Sequence, residues 1–193
     1  MSLSKEGILK IFRETEALLD GHFLLTSGLH SNAYFQCAKV FQYPWHAETL
    51  CREIADRFKN ERIDVVVSPA VGGIVMGQEI GRLLKVRSIF MERVEGTMTL
   101  RRGFQINPRE RILVAEDVTT TGGSVKEVIQ GIGKQGGEVV AVTAVVDRSG
   151  GQIDFNVPYF SLLKMEVLTY QPDDCPLCSE GSQAIKPGSR NLK

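Results

Sequence analysis

The sequence predicts an α/β domain built on a doubly wound parallel sheet. Val65-Val66-Val67, Ile112-Leu113-Val114-Ala115 and Val139 to Val146 are solid apolar runs of strand length, and helix-like stretches at 73–84 and 124–134 separate them. Strands without polar alternation are buried on both faces, as in a parallel sheet covered by helices on either side. At 193 residues the chain has room for one such domain and not for two.

Taken in order, Ile8, Ile11, Phe12, Leu18 and Leu19 make an apolar stripe that predicts a helix from Ser4 to Leu19, stopped by Gly21. Phe23 to Leu25 and Tyr34 to Val40 read as short strands about a turn at Ser27 to Asn32. Pro44 suits the first turn of a second helix, with Ala47, Leu50, Cys51, Ile54 and Phe58 inward. The strand at 65–67 and the helix from Gly73 to Leu84 follow, then a strand at Ser88 to Met91. The next strand is 112–115, the next helix Ser124 to Lys134, and the last strand Val139 to Val146.

Residues 93–110 stand where a helix is expected, yet they hold two glycines, a proline and little helical period. They predict a mobile loop or a short hairpin, and long irregular connections of this kind often act as lids. The tail after Pro172 is rich in Pro, Gly, Ser and charge and reads as loop. One domain results, with an N-terminal segment at 1–43, a core sheet at 44–170 and a tail at 171–193.

Lys plus Arg and Asp plus Glu balance at 23 each, so no global field draws nucleic acid or a membrane surface. An anionic ligand must be held by a local arrangement of donors. The polar start, Met1 to Glu6, lacks the apolar core of a signal peptide, and no apolar run reaches bilayer length. Cys37, Cys51, Cys175 and Cys178 are too few for a disulfide scaffold, and a cytoplasmic location is expected. Cys175-Pro176-Leu177-Cys178 offers two ligands where a structural zinc site wants four. Reduced thiols, zinc shared between subunits and a redox pair are the readings of that pair. The three histidines suggest no cluster, and His30 reads as a solvated turn residue.

The chemistry concentrates in Ala115-Glu116-Asp117-Val118-Thr119-Thr120-Thr121-Gly122-Gly123-Ser124. A buried strand ends in two adjacent carboxylates, and a Thr/Gly loop then opens a helix, at the edge where open α/β sheets bind ligands. Backbone N–H groups of Thr120 to Ser124, the hydroxyls and the helix N-terminus can wrap a phosphate. The acids would repel that phosphate unless they had another task, and accepting hydrogen bonds from two vicinal ribose hydroxyls is such a task. The structural alternative is a helix N-cap, a place for which Ser124 is better suited.

This acid-acid-hydrophobic-Thr-Thr-Thr-Gly-Gly-Ser run resembles the signature of type I phosphoribosyltransferases, which use 5-phosphoribosyl 1-diphosphate. It is not a P-loop, since no lysine follows the glycines. The resemblance implies that Glu116 and Asp117 take the ribose, while Thr119, Thr120, Thr121, Gly122, Gly123 and Ser124 take the 5-phosphate, with Val118 between the two groups. It also implies that family's fold, with a small N-terminal hood and a mobile active-site loop.

Further residues resemble the orotate branch of that family. Gly21-His22-Phe23, Thr26-Ser27-Gly28 and Ser31-Asn32-Ala33-Tyr34-Phe35 are similar to its acceptor segment, implying that Tyr34 and Phe35 line a pyrimidine; the bland reading is aromatic packing. Asp147-Arg148 is similar to its strand-end pair, implying that Arg148 binds the orotate carboxylate. A surface salt bridge of Arg148 with Asp147 is the alternative. Thr120 matches a loop threonine that contacts orotate. Ser68-Pro69-Ala70-Val71-Gly72-Gly73 resembles the pyrophosphate loop, or else is an ordinary strand–helix turn.

Where the family commonly has lysines, near Thr26 and near Gly72, this chain has none, and its loop offers Arg93, Arg101 and Arg102. The resemblance implies transfer of 5-phosphoribosyl to orotate in pyrimidine biosynthesis, with Arg101, Arg102 and Asp117 catalytic. It also implies Mg2+ on the donor and a homodimer. The competing readings are a transferase for a purine or other base, and a non-catalytic sensor of the donor.

Overall fold

The computed structural model describes residues 3–25 and 27–187. In chain order the elements are α1 (Lys5–Glu14), β1 (Leu18–Leu24), β2 (His30–Phe35), α2 (Ala38–Phe41), α3 (Pro44–Phe58), β3 (Val65–Pro69), α4 (Gly73–Leu84), β4 (Arg87–Val94), β5 (Thr97–Leu100), β6 (Arg111–Thr119), α5 (Gly123–Lys134), β7 (Glu138–Asp147), β8 (Tyr159–Lys164) and β9 (Thr169–Tyr170). A 3-10 turn at Pro172–Asp174 then leads into α6 (Pro176–Ser179).

The large sheet has the order β5-β4-β3-β6-β7-β8. Its strands run parallel from β4 to β8, and β5 is antiparallel at one edge. Because the chain goes out from β3 to β4 and β5, then returns to the other side of β3 as β6, the strand order reverses between β3 and β6. Such a switch point opens a crevice at the carboxyl ends of the two strands. One face of the sheet is covered by α1, α3 and α4, whose Ile8, Phe12, Leu50, Ile54, Met76 and Ile80 are buried. The other face takes Val125, Val128 and Ile132 of α5. No helix among the described residues is long and apolar enough to cross a membrane.

The first helix is shorter than the stripe predicts. Ser4 caps it, accepting from the Gly7 N–H at 3.1 Å. It ends where the Thr15 hydroxyl donates back to the Ile11 carbonyl and Glu16 turns left-handed at φ 53°. Leu18 and Leu19 therefore belong to β1, and Gly21 lies inside that strand, at an irregularity of register between Asp20 and Phe23. The predicted turn at Ser27 to Asn32 overreaches, since β2 already begins at His30. Val40 is in α2, so the strand predicted to Val40 stops at Phe35. Thr26 lies outside the described residues, as does the tail beyond residue 187.

Residues 93–110 contain a hairpin. Glu95 and Gly96 both have positive φ, as a two-residue type I′ turn requires, and join β4 to β5. The tail is only partly loop: it holds the 3-10 turn and α6, and its Ile185 bridges to Phe23 on the far edge of β1, while β9 just before it pairs with β2. The N-terminal hairpin is thus flanked on both edges by late segments of the chain. His30 is not a solvated turn residue; its Nδ1 lies 2.9 Å from His22 Nε2, with Cys175 and Cys178 beside them. Antiparallel pairing brings the two histidines together, which their sequence spacing conceals.

Candidate functional site

Glu116 and Asp117 stand at the carboxyl end of β6, beside the loop that leaves β3. Glu116 is buried and Asp117 half-buried, and neither has an arginine or lysine partner among the described residues. Burial and then the charge of Asp117 hold the Glu116 carboxyl well above its usual range. Burial likewise raises Asp117. Their oxygens are oriented locally, the N–H of Asp117 donating to Glu116 Oε1 at 3.2 Å and that of Val118 to Asp117 Oδ1 at 2.9 Å. Two carboxyls kept off full ionisation, without a cation, are prepared for hydroxyls or for a metal-bound ligand.

The β3–α4 loop lies directly against this pair. A Cβ on Gly72 would stand 2.6 Å from Asp117 Oδ2, so only glycine lets the loop and the carboxylate share the space. The loop's Val71 is exposed, and the peptide between Ala70 and Val71 is cis. The two predicted ligand loops, separated by more than forty residues in sequence, are therefore neighbours in the crevice between β3 and β6.

On the other side of the pair, Glu116, Val118, Thr119 to Ser124 and Val125 line a small open hollow. Gly122 forms its turn at φ 72°, and a Cβ there would meet Phe155 at 2.8 Å. Helix α5 begins at Gly123 with Gly122 as N-cap and no side-chain capping bond. Ser124 is not the cap, and neither acid is. The first N–H groups of a helix have no partner within it, so they face the hollow as anion donors. Thr119 is fixed from behind: its hydroxyl bonds to that of Tyr159, its carbonyl accepts from the Arg148 N–H at 2.8 Å, and the residue is buried. Tyr159 and Phe155 support the cradle, and their sequence context, far from the motif, gave no sign of it.

Arg148 follows the end of β7, in the strand next to the acidic pair. It makes no salt bridge with Asp147, which is buried and accepts instead from Ser149 N (2.9 Å) and Oγ (2.6 Å). The Arg148 guanidinium lies over the ring of Phe35, 5.5 Å from its centroid, and its Nε is buried with no hydrogen-bond partner. Burial disfavours its charge. A cation in this condition lacks an anion.

Alternation along β2 places Phe35 and Tyr34 on opposite faces. Phe35 is buried, packing edge-on to Phe12 beneath Arg148; the Tyr34 ring packs on Phe23 and its hydroxyl donates to Gln36 Oε1. The pair is therefore not two walls of one slot within a single chain. The loop cations are likewise held apart from the acids. Arg93 pairs with Glu127, while Arg101 and Arg102 both pair with Glu92, and Arg102 also lies over Phe90.

The chain resembles known proteins over nearly its whole length. The family described as "Phosphoribosyl transferase domain" matches residues 45–174. The orotate phosphoribosyltransferase of Caldanaerobacter subterraneus subsp. tengcongensis is 54% identical over 190 residues, covering 98% of this chain and 100% of that one. That of Heliobacterium modesticaldum is 56% identical over 190 residues, covering 97% and 100%. The solved orotate phosphoribosyltransferase of Aeropyrum pernix superposes with a TM-score of 0.69 at 23% identity, over 82% of this chain and 93% of that one, and shows the shared fold.

Proposed function

The chain belongs to the orotate phosphoribosyltransferases of the phosphoribosyl transferase family, and from that membership we propose that it joins orotate to 5-phosphoribosyl 1-diphosphate, giving orotidine 5-phosphate and pyrophosphate in pyrimidine biosynthesis. The observation that carries the acceptor assignment is the buried, unpartnered Nε of Arg148 above Phe35. A planar guanidinium without an anion matches a carboxylated ring.

In this reading Glu116 and Asp117 accept hydrogen bonds from the ribose hydroxyls. The 119–124 cradle holds the 5-phosphate, and the 68–73 loop lies along the diphosphate. Thr120 and the Phe35 side of β2 border the acceptor. The ring nitrogen forms its bond to the anomeric carbon and gives up its N–H proton to pyrophosphate or solvent, as the carbon–oxygen bond to diphosphate breaks and its electron pair leaves with pyrophosphate. Positive charge develops on the sugar, so orientation and charge stabilisation matter more than a protein nucleophile.

The two unpaired carboxylates fit a hard cation shared with the donor, and Mg2+ would neutralise diphosphate oxygens there. Arg101 and Arg102, once released from Glu92, would cover the leaving group and exclude water. We assign the enzyme to the cytoplasm, in keeping with its free cysteines, and to a homodimer whose loop closes over the neighbouring site.

The test incubates purified protein with donor, Mg2+ and each of orotate, uracil, adenine and hypoxanthine, following pyrophosphate release. Orotate should react only when donor and metal are both present, and the others poorly. Rapid turnover of adenine with none of orotate would overturn the assignment. No turnover of any base, with donor binding intact, would indicate a sensor.

A further inference from the structure

We propose that His22, His30, Cys175 and Cys178 form a structural zinc site that fastens the C-terminal segment to the N-terminal hairpin. Their ligand atoms all lie within 4.8 Å of one another. His22 Nε2 is 2.9 Å from His30 Nδ1, 3.5 Å from Cys175 Sγ and 3.8 Å from Cys178 Sγ, and Cys178 Sγ is 3.3 Å from His30 Nδ1. A tetrahedral ion with bonds of about 2.3 Å to sulfur and 2.0–2.1 Å to nitrogen has ligand–ligand edges of roughly 3.3–3.8 Å. The four atoms already approach that tetrahedron.

The hydrogen bonding points the same way. His22 Nδ1 lies 3.1 Å from the Ser182 carbonyl, which can only accept, so Nδ1 carries the proton and Nε2 presents a lone pair. That single lone pair faces His30 Nδ1 and both sulfurs, three groups that cannot all donate to it. A cation in the middle resolves the conflict by taking a lone pair from each. The Ser182 carbonyl is then the outer partner that fixes ring orientation in metal-bound histidines.

The fold supplies the ligands from two ends of the chain. On β1, His22 and Leu24 share a face, and Leu24 pairs with His30 across β2. Cys175 and Cys178 flank the start of α6. His22 and Cys175 are 5% and 2% exposed, while Cys178 is exposed, leaving one side open for entry. All four cysteines are free thiols. Two sulfurs and two imidazoles select zinc among common cytoplasmic metals.

The full chain, produced without an affinity tag and under reducing conditions, is assayed for bound metal. About one zinc per chain is expected, falling at least tenfold in Cys178→Ser and in His30→Ala. Replacing zinc by cobalt should give the intense visible absorption of a tetrahedral sulfur-containing site, lost in Cys178→Ser. Because the cobalt spectrum is read on the unaltered chain, misfolding of a variant leaves the proposal testable. Reduced protein that takes up no zinc when offered one equivalent would overturn it. So would zinc retained at full occupancy in both variants, or a Cys175–Cys178 disulfide in metal-free protein.

Discussion

The guanidinium carbon of Arg148 lies 5.5 Å from the centroid of the Phe35 ring, and the arginine has no carboxylate partner among the described residues. The ring supports the guanidinium from one side. Arg148→Ala should raise the KM for orotate roughly 10- to 100-fold, the worth of one lost charge-assisted pair, with much less effect on the KM for the donor. Asp117→Asn should do the reverse, with the melting temperature little changed. Steady-state kinetics with each substrate varied in turn decides the matter. Equal changes in the same parameter would merge the two pockets into one.

Protons should leave as the donor binds. Burial raises the carboxyls of Glu116 and Asp117 in the free protein, and the charge of Asp117 raises Glu116 further, so the pair holds a proton at pH values where ordinary carboxylates do not. Ribose hydroxyls and a donor-bound cation favour the ionised pair. Donor affinity should therefore increase as pH rises through neutrality, and titration calorimetry in buffers of different ionisation heat should record net proton release.

The same groups set a slope in stability. Their folded pKa values exceed the unfolded ones, so the native state binds more protons and stability falls as pH rises from the unfolded carboxylate range into the raised one. Glu116→Gln should flatten that slope and stabilise the free protein by on the order of 1 kcal/mol near neutral pH, even as it weakens the donor complex. Denaturant unfolding across pH checks this. An unchanged slope would mean that both carboxyls are already ionised.

Glu92 holds Arg101 and Arg102 within their own hairpin, and a loop acting on a neighbouring subunit can be detected by mixing. In the proposed homodimer, Arg102→Ala and Asp117→Asn proteins, assayed at a donor concentration where each is nearly inactive, should regain up to about a quarter of full activity after subunit exchange, because about half the dimers are hybrids with one intact site each. Mass-tagged subunits verify the exchange. No recovery after verified exchange would place the loop in the same chain as its site.

The core sheet was legible in the sequence because its strands are buried on both faces, and 65–67, 112–115 and 139–146 all lie in strands. The helix at 73–84 was bounded correctly, and Pro44 marked the start of another. The N-terminal region was not legible. Leu18 and Leu19 happen to continue a helical stripe, while a Thr15 back-bond and a left-handed Glu16 end the helix first. Strand β8 (Tyr-Phe-Ser-Leu-Leu-Lys) is an edge strand without a flanking motif and was missed.

Within the site, the acids and the cradle followed from local order, since strand, loop and helix are consecutive there. The facing of Gly72 to Asp117, the support of Thr119 by Tyr159 and the meeting of His22 with Cys175 join distant segments. Spacing in one sequence does not encode such meetings. Alternation did bear on Tyr34 and Phe35, since adjacent residues in a strand point opposite ways.

The pairing of β9 and Ile185 with the two edges of the N-terminal hairpin has a consequence for synthesis. An isolated two-stranded hairpin is marginal in water, and its partners here come from residues 169–185, near the opposite end of the sequence. On the ribosome, the central strands can assemble while the hairpin emerges first and waits longest. Both edges of the hairpin can be paired only after residues 169–185 have emerged, so the first sheet to be synthesised is the last to be closed.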